Sequence, residues 1–333
     1  MQTRSQRRLP ISGGAGRTLL AHAADALLPF FSAHEARTLR LVGREWKAAV
    51  ARHPWADRET RIKGSVAAWR ASFPRAKTAN VFGYLRRTPI VDADFVHLAG
   101  LAELNMLRCT GATDAAFAHL AGIRSLNMYH CSQITDAAFV HLKGIQELDM
   151  GGCSSISDAA FAHLAGIHTI AITSCHQAAL TDAAFVHLKG IRKLDMSFCT
   201  QFTDAAFAHI KGIHTLRMAC CTQVTDAAFA HLAGIHTLDM PVCSQHTITD
   251  ATFAFLEGIH TLKMILCGQA TITDAAFAHL AGIHTLDMSC CSQATITGKT
   301  LARLVGIDRI RMVGCSHEAI QAAHRAGLRI LLE

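Results

Sequence analysis

Residues Ile134 to Cys153 read ITDAAFVHLKGIQELDMGGC, and the rest of the chain follows from how those twenty positions are used. Leu148 and Met150 alternate with Glu147, Asp149 and Gly151, the period-two signature of a short strand with one face buried and the other open. Thr135-Asp136 ahead of AAFVHL predicts an N-cap, with Asp136 also favoured by the helix dipole. Phe139 and Leu142 then share one face of a short helix, and Gly144 ends it as a left-handed cap. The same frame recurs as Asp114-Phe117-Leu120-Gly122, Asp182-Phe185-Leu188-Gly190, Asp204-Phe207-Ile210-Gly212, Asp226-Phe229-Leu232-Gly234 and Asp274-Phe277-Leu280-Gly282. Ten cysteines mark its period: Cys109, Cys131, Cys153, Cys175, Cys199, Cys221, Cys243, Cys267, Cys291 and Cys315, each 22 or 24 residues from the last. One strand and one helix cannot bury their apolar faces alone, so units of this length must stack into an array.

Ile145-x-x-Leu148-x-Met150-x-x-Cys153 matches an L-x-x-L-x-L-x-x-C frame, and these residues resemble the cysteine-containing leucine-rich repeats known from F-box proteins. The resemblance implies an α/β solenoid with a parallel sheet on its concave side and short helices on its convex side. Ten units are expected over residues 90–320. Ala76-x-x-Ala79-x-Val81 is expected to start an eleven-strand sheet as a first capping repeat, after a linker helix, within 57–89. Residues 321–333 are expected to close the far end as a cap, because terminal repeats otherwise expose core.

The formal charge of +7 is unevenly placed: Met1 to Arg75 holds 14 Lys and Arg against 5 acids, the remainder 18 against 20. Residues 1–17 are Arg-rich and acid-free, and read as a disordered basic tail in preference to a transit peptide or a nucleic-acid arm. No apolar signal region follows Met1, and no run of 18 apolar residues occurs, so neither secretion nor membrane insertion is expected. Cysteines a full repeat apart, pointing into one core, read as buried reduced thiols of a cytoplasmic or nuclear protein. No C-x-x-C spacing suggests zinc.

Ahead of the array, residues 18–56 carry apolar positions at helical spacing. The string Leu39-Arg40-Leu41-Val42-Gly43-Arg44-Glu45-Trp46-Lys47-x-x-Val50, closed by Pro54-Trp55, is similar to the second half of an F-box. That resemblance implies a Skp-type adaptor of a cullin-RING ubiquitin ligase as partner, with Leu28, Pro29, Leu39, Leu41, Val42, Trp46 and Val50 as candidate adaptor contacts. The plain alternative is that these helices only cap the solenoid.

Chemistry is not expected. Catalysis needs a few unlike groups in unlike environments, whereas here Asp, His and Cys recur in every unit, and no glycine-rich phosphate loop occurs. Two histidine ladders are expected, His119, His141, His163, His187, His209, His231 and His279 on the helices, and His168, His214, His236, His260 and His284 before the strands. Both read as surface positions copied by duplication rather than metal sites, and no cofactor is expected.

Departures from the repeat carry more information about partners. One predicted row of the open face runs Glu103, Ser125, Glu147, Thr169, Lys193, Thr215, Thr237, Thr261, Thr285, Arg309. The next runs Asn105, Asn127, Asp149, Ala171, Asp195, Arg217, Asp239, Lys263, Asp287, Arg311. Beside them Arg108, Tyr129, His130, Phe198, Ile265 and Leu266 supply bulk. The candidate partner contacts are Arg108, Tyr129, His130, Glu147, Asp149, Lys193, Asp195, Phe198, Arg217, Asp239, Lys263, Ile265, Asp287 and Arg311. Alternating charge argues for a protein partner and against nucleic acid, which favours an unbroken basic stripe. Two extra residues after Gln177, Gln245, Gln269 and Gln293 are expected to widen the binding rim. The expected function is a non-enzymatic receptor, either the substrate subunit of a ubiquitin ligase or a free-standing scaffold or ligand-binding protein.

Overall fold

A computed structural model describes residues 22–57, 61–83 and 89–333. The basic tail at 1–17 lies outside them. Twelve strands pair in sequence order in one parallel sheet: β1 Thr78–Asn80, β2 Glu103–Asn105, β3 Ser125–Asn127, β4 Glu147–Asp149, β5 Thr169–Ala171, β6 Lys193–Asp195, β7 Thr215–Arg217, β8 Thr237–Asp239, β9 Thr261–Lys263, β10 Thr285–Asp287, β11 Arg309–Arg311 and β12 Ile330–Leu331. Each crossover carries a short helix, 3-10 over Asp136–Leu142 and α over Asp204–Phe207, for example. The expected eleven strands become twelve. After β11 the chain forms a helix over His317–Arg325 and then returns as β12, pairing Ile310 with Ile330 and Arg311 with Leu331. The far cap therefore begins before residue 321 and includes a strand that covers the open edge of β11.

Every unit contributes the same side chains to one continuous core. Phe95, Phe117, Phe139, Phe161, Phe185, Phe207, Phe229, Phe253 and Phe277 from the helical turns are essentially inaccessible, as are Met106, Met128, Met150, Met196 and Met218 beside the strands. Burying a side chain of this size stabilises the fold by roughly 1.5–3 kcal/mol. Gly144 sits at φ +86°, the left-handed turn that lets the helix end and the chain enter β4.

The cysteines pack in this core and also donate hydrogen bonds. The Cys153 thiol reaches the Met128 carbonyl of the preceding unit at 3.2 Å, Cys221 reaches Met196 at 3.3 Å, and Cys243 reaches Met218 at 3.1 Å. Each carbonyl lies just past its strand, where the ladder no longer supplies a donor. All twelve cysteines are free. Burial raises the pKa values of the repeat cysteines from Cys131 to Cys315, Cys131 to about 11 and Cys199 to about 12, so these thiols stay protonated as donors.

The aspartate of each helical turn has a different role from the expected cap. Thr135 is the N-cap, its hydroxyl accepting from the Ala137 amide. Asp136 reaches forward into the next unit, where its carboxylate accepts from the backbone N–H of Ser157 at 2.8 Å and from the Ser157 hydroxyl at 2.5 Å. The arrangement repeats from Asp92 and Thr113 through Asp204 and Thr225 to Asp274 and Thr297. A line of carboxylate clamps thus ties unit to unit along the helical side, parallel to the thiol line beneath the sheet.

The glutamines before the longer loops add contacts between units. Gln177 gives its amide N–H to the Cys153 and Ile156 carbonyls at 3.1 and 2.9 Å, and Gln245 gives its own to Cys221 and Val224 at 3.0 Å each. These half-buried side chains turn inward so that their N–H groups serve carbonyls of the preceding unit.

The N-terminal helices, α1 over Ala33–Leu39, α2 over Arg44–Arg52 and α3 over Val66–Ser72, build a second core from Ala24, Leu28, Ala33, Ala36, Ala49, Val50, Trp55, Phe73 and Ala76. Ser32 and Glu35 form a reciprocal capping box at the start of α1. Trp69 packs against both cores, and Arg70 of α3 donates to the His97 and Ala99 carbonyls of the first repeat at 2.6 Å each.

Candidate functional site

The strand register places both expected rows on the open face. Glu103 pairs with Ser125, Ser125 with Glu147, and so on to Arg309, while Asn105, Asn127 and Asp149 lead to Arg311. Leu104, Leu126 and Leu148 between them point into the core. Glu147 and Lys193 stand on the first row, and Asp149, Asp195, Arg217, Asp239, Lys263, Asp287 and Arg311 on the second.

Several of these side chains are already engaged. Asp149 accepts from the Gly151 amide at 3.1 Å, Asp195 from Ser197 at 3.0 Å and Asp287 from Ser289 at 3.1 Å, as Asn105 and Asn127 do for Leu107 and Tyr129. A short Asp or Asn side chain at the strand exit satisfies the amide two residues on. Asp239 precedes Pro241, which has no N–H to give. Its carboxylate instead faces Arg217 Nε at 3.3 Å, and Asp195 meets the same guanidinium at 3.6 Å. Arg217 is more than half exposed within this triad, so its face remains open to a partner.

Tyr129 and Ile265 fall on a third row just past the strands, both half-buried. The Tyr129 ring covers Gly151, where a Cβ would come within 2.7 Å of it, and the His130 ring stands edge-on to it at 4.4 Å. Arg108, His130, Phe198 and Leu266 lie off the sheet. They occupy left-handed corner positions, at φ +55° to +62°, where the chain turns from strand to loop, and they are exposed along that rim. The candidate contacts therefore divide between a polar sheet face and a bulkier rim.

The N-terminal half of the face forms a cavity of about 310 Å³ over β1 to β5, with Glu103, Glu147 and Asp149 among its polar walls. Burial raises the pKa of Asp149, and the negative charge of Asp195 pushes the same way against the Gly151 hydrogen bond.

Of the expected adaptor residues, Leu28 and Val50 are fully buried and belong to the module's core, with Leu39 and Trp46 packed partly against it. Leu28 and Val50 hold the helices together and are not available to a partner, whereas Leu39 and Trp46 each keep part of their surface open. Leu41 and Val42, 86% and 68% exposed, stand in the turn between α1 and α2, and Pro29 is exposed beside Phe30 at 83%. Helical spacing alone hid this division, because α1 stops at Leu39 and leaves the next two apolar residues outside it.

The ladder before the strands is shorter than expected. Arg192 separates His168 from the rest, and His214, His236, His260 and His284 stack with ring centroids 4.5, 4.4 and 4.2 Å apart and planes within 14° of parallel. The Nδ1 atoms of the first three face the next threonine hydroxyl at 3.1 Å, and His284 meets Asp308 at 2.9 Å. Desolvation, then the neighbouring imidazoles His284 and His236, lowers the pKa of His260. Among the described residues no group of three or more His, Cys, Asp or Glu is arranged to hold a metal ion, and no helix is long and apolar enough to cross a membrane.

A twelve-strand parallel sheet backed by short helices at this period defines a leucine-rich-repeat solenoid. The chain belongs to the BspA-type leucine-rich-repeat family, whose pattern matches six copies over residues 110–235 and 199–302, more than half its length. No curated protein matches it significantly. Among solved structures it is similar to the Toll-like receptor TLR13 in complex with the RNA ssRNA13, at 17% identity and a TM-score of 0.57 over 74% of this chain and 37% of that one. It is also similar to the Drosophila Toll–Spatzle complex (14% identity, TM-score 0.49, 83% of this chain and 45% of that) and to the yeast Rad7–Elc1 complex (16%, 0.47, 96% and 89%). The chain thus spans less than half the length of the first two. At these identities the likeness is one of fold, and leucine-rich-repeat proteins of this fold are typically non-enzymatic scaffolds that bind protein partners.

Proposed function

We propose that this protein is a non-enzymatic substrate receptor of a cullin-RING ubiquitin ligase. In this reading a Skp-type adaptor docks on the N-terminal helices and a protein substrate lies on the open face of the sheet. The observation that carries it is the pair Leu41 and Val42, two large apolar side chains exposed in the turn of a module whose sequence resembles an F-box. Adjoining exposed apolar side chains of this kind offer a surface that a partner can cover. The mixed charges around Arg217 on the sheet face support a protein substrate over a nucleic acid. The reduced thiol core supports a cytoplasmic or nuclear setting.

A second reading, a free-standing interaction scaffold whose helices are only a cap, is favoured by Trp69 and Arg70, which bind the helices firmly to the first repeat. Co-purification of the full chain with a purified Skp-type adaptor separates the two. The receptor reading expects a stoichiometric complex that Leu41→Asp and Val42→Asp abolish without changing the thermal melt. No complex with the wild-type chain removes the ligase link and leaves the scaffold.

A further inference from the structure

Where the N-terminal helices meet the array, away from the sheet face, α1 and α3 enclose a cavity of about 290 Å³ together with residues 61–64 between them. Among the described residues its charged walls carry one sign. Arg37 and Arg40 come from α1, Arg61 and Lys63 from the segment opposite, and among the described residues no carboxylate lines it. The nearby acids are committed elsewhere: Glu35 accepts from the Ser32 amide at 2.8 Å, and Asp57 from the Ala33 amide at 2.7 Å. Arg40 is held in place by the Ser72 hydroxyl while its buried Nε has no acceptor. Trp69 and Phe73 supply an aromatic wall beside these cations.

The Arg61 guanidinium already lies over the Phe82 ring at 4.8 Å, but Arg40 keeps a buried Nε without an acceptor, and the exposed Arg37 and Lys63 beside it add positive charge, so an anion entering the cavity is favoured. We infer that this cavity is a binding site for a phosphate monoester. A monoester brings close to two negative charges and three acceptor oxygens, which suits several cationic groups better than a single carboxylate. Guanidinium groups present the paired donors such oxygens accept. Trp69 would cover the organic group attached to the phosphate. The volume lies at the lower edge of the roughly 300–1,000 Å³ usual for small-molecule sites. It therefore suits a small phosphate ester or one phosphorylated side chain of a partner. The site does not depend on the ligase reading.

Calorimetric titration of the full chain at about 0.15 M salt tests it, with inorganic phosphate, adenosine monophosphate and a short phosphoserine peptide as probes. Adenosine and the unphosphorylated peptide serve as controls. The expected result is saturable binding of at least one ester, with Kd between roughly 1 µM and 1 mM, and no binding of its control. Arg37→Ala and Lys63→Ala, both at exposed positions, should each weaken it about tenfold with unchanged melting in the absence of ligand. Binding of the nucleotide alone assigns a free ester, binding of the peptide alone assigns a modified partner, and binding of both supports the shared chemistry. Three results overturn the proposal: neither ester binds, binding survives both substitutions, or inorganic phosphate binds as tightly as the esters.

Discussion

Replacing Asp204 by alanine removes one clamp from the middle of the array without touching the hydrophobic core. In the intact protein its carboxylate accepts from the Thr225 amide at 2.8 Å and from the Thr225 hydroxyl at 2.6 Å, and that hydroxyl in turn accepts from the Ala227 amide at 3.2 Å. A hydrogen bond to a charged group contributes about 1.5–3 kcal/mol. Thr225 is half-buried, so water recovers part of the loss, and the expected destabilisation is about 2–4 kcal/mol. Asp204→Asn keeps one acceptor for the amide and should cost about 1 kcal/mol. Thr225→Val leaves the amide bond intact, and the double mutant with Asp204→Ala should show clear non-additivity because both act on one contact. Urea denaturation measures the total, and hydrogen exchange localises it. The Thr225 amide should exchange roughly 30- to 700-fold faster, at 1.4 kcal/mol per factor of ten. A loss below about 0.5 kcal/mol, the level of an ordinary surface substitution, together with unchanged Thr225 exchange, would refute the clamp.

The stacked histidines should make stability depend on pH. The pKa of His260 lies below its unfolded value, so the unfolded chain binds more protons as the pH drops. Stability is then greatest above about pH 6.5 and declines as the pH falls through that value toward the lower folded pKa. His260→Asn should flatten the melting temperature between about pH 7.5 and 5, and an unchanged slope rejects the stack as its source. Asp149→Asn removes a buried charge while keeping the Gly151 amide contact, and should raise the melting temperature near neutral pH, a gain reduced by losing the acceptor to which Asn127 Nδ2 donates at 3.1 Å. That gain should vanish in acid, where Asp149 is itself neutral; a loss at neutral pH counts against the argument. Thiol alkylation of the native protein, read by mass spectrometry, should modify half-exposed Cys220 and Cys290 before any buried ladder thiol such as Cys131 or Cys199. Ladder labelling at equal rates would contradict their burial.

Twenty residues repeated with a cysteine every 22 or 24 sufficed for the strand register, because stacking admits one alignment in which every Leu148-like position stays dry. The open rows from Glu103 to Arg309 and from Asn105 to Arg311 followed from the same alternation. The expected solenoid is the fold observed. Less legible were contacts between units. Nothing within ITDAAFVHL says that Asp136 reaches Ser157, since 21 residues of chain return to within hydrogen-bond distance only after the array has coiled. The twelfth strand was equally hidden: Ile330 and Leu331 extend because β11 offers them an unpaired edge.

The N-terminal module shows the limit most clearly. Its apolar residues were visible as a helical pattern, and that pattern holds for α1 and α2. Which of them face a core and which face water depends on where each helix stops and what packs against it. Leu28 and Val50 are inside, Leu41 and Val42 outside, and the cations of Arg37, Arg40, Arg61 and Lys63 share one cavity although 26 positions separate the first from the last. Local periodicity settled the repeat, because each unit meets only copies of itself. Tertiary packing decided the sites, because they form where the repetition breaks and distant segments are brought face to face.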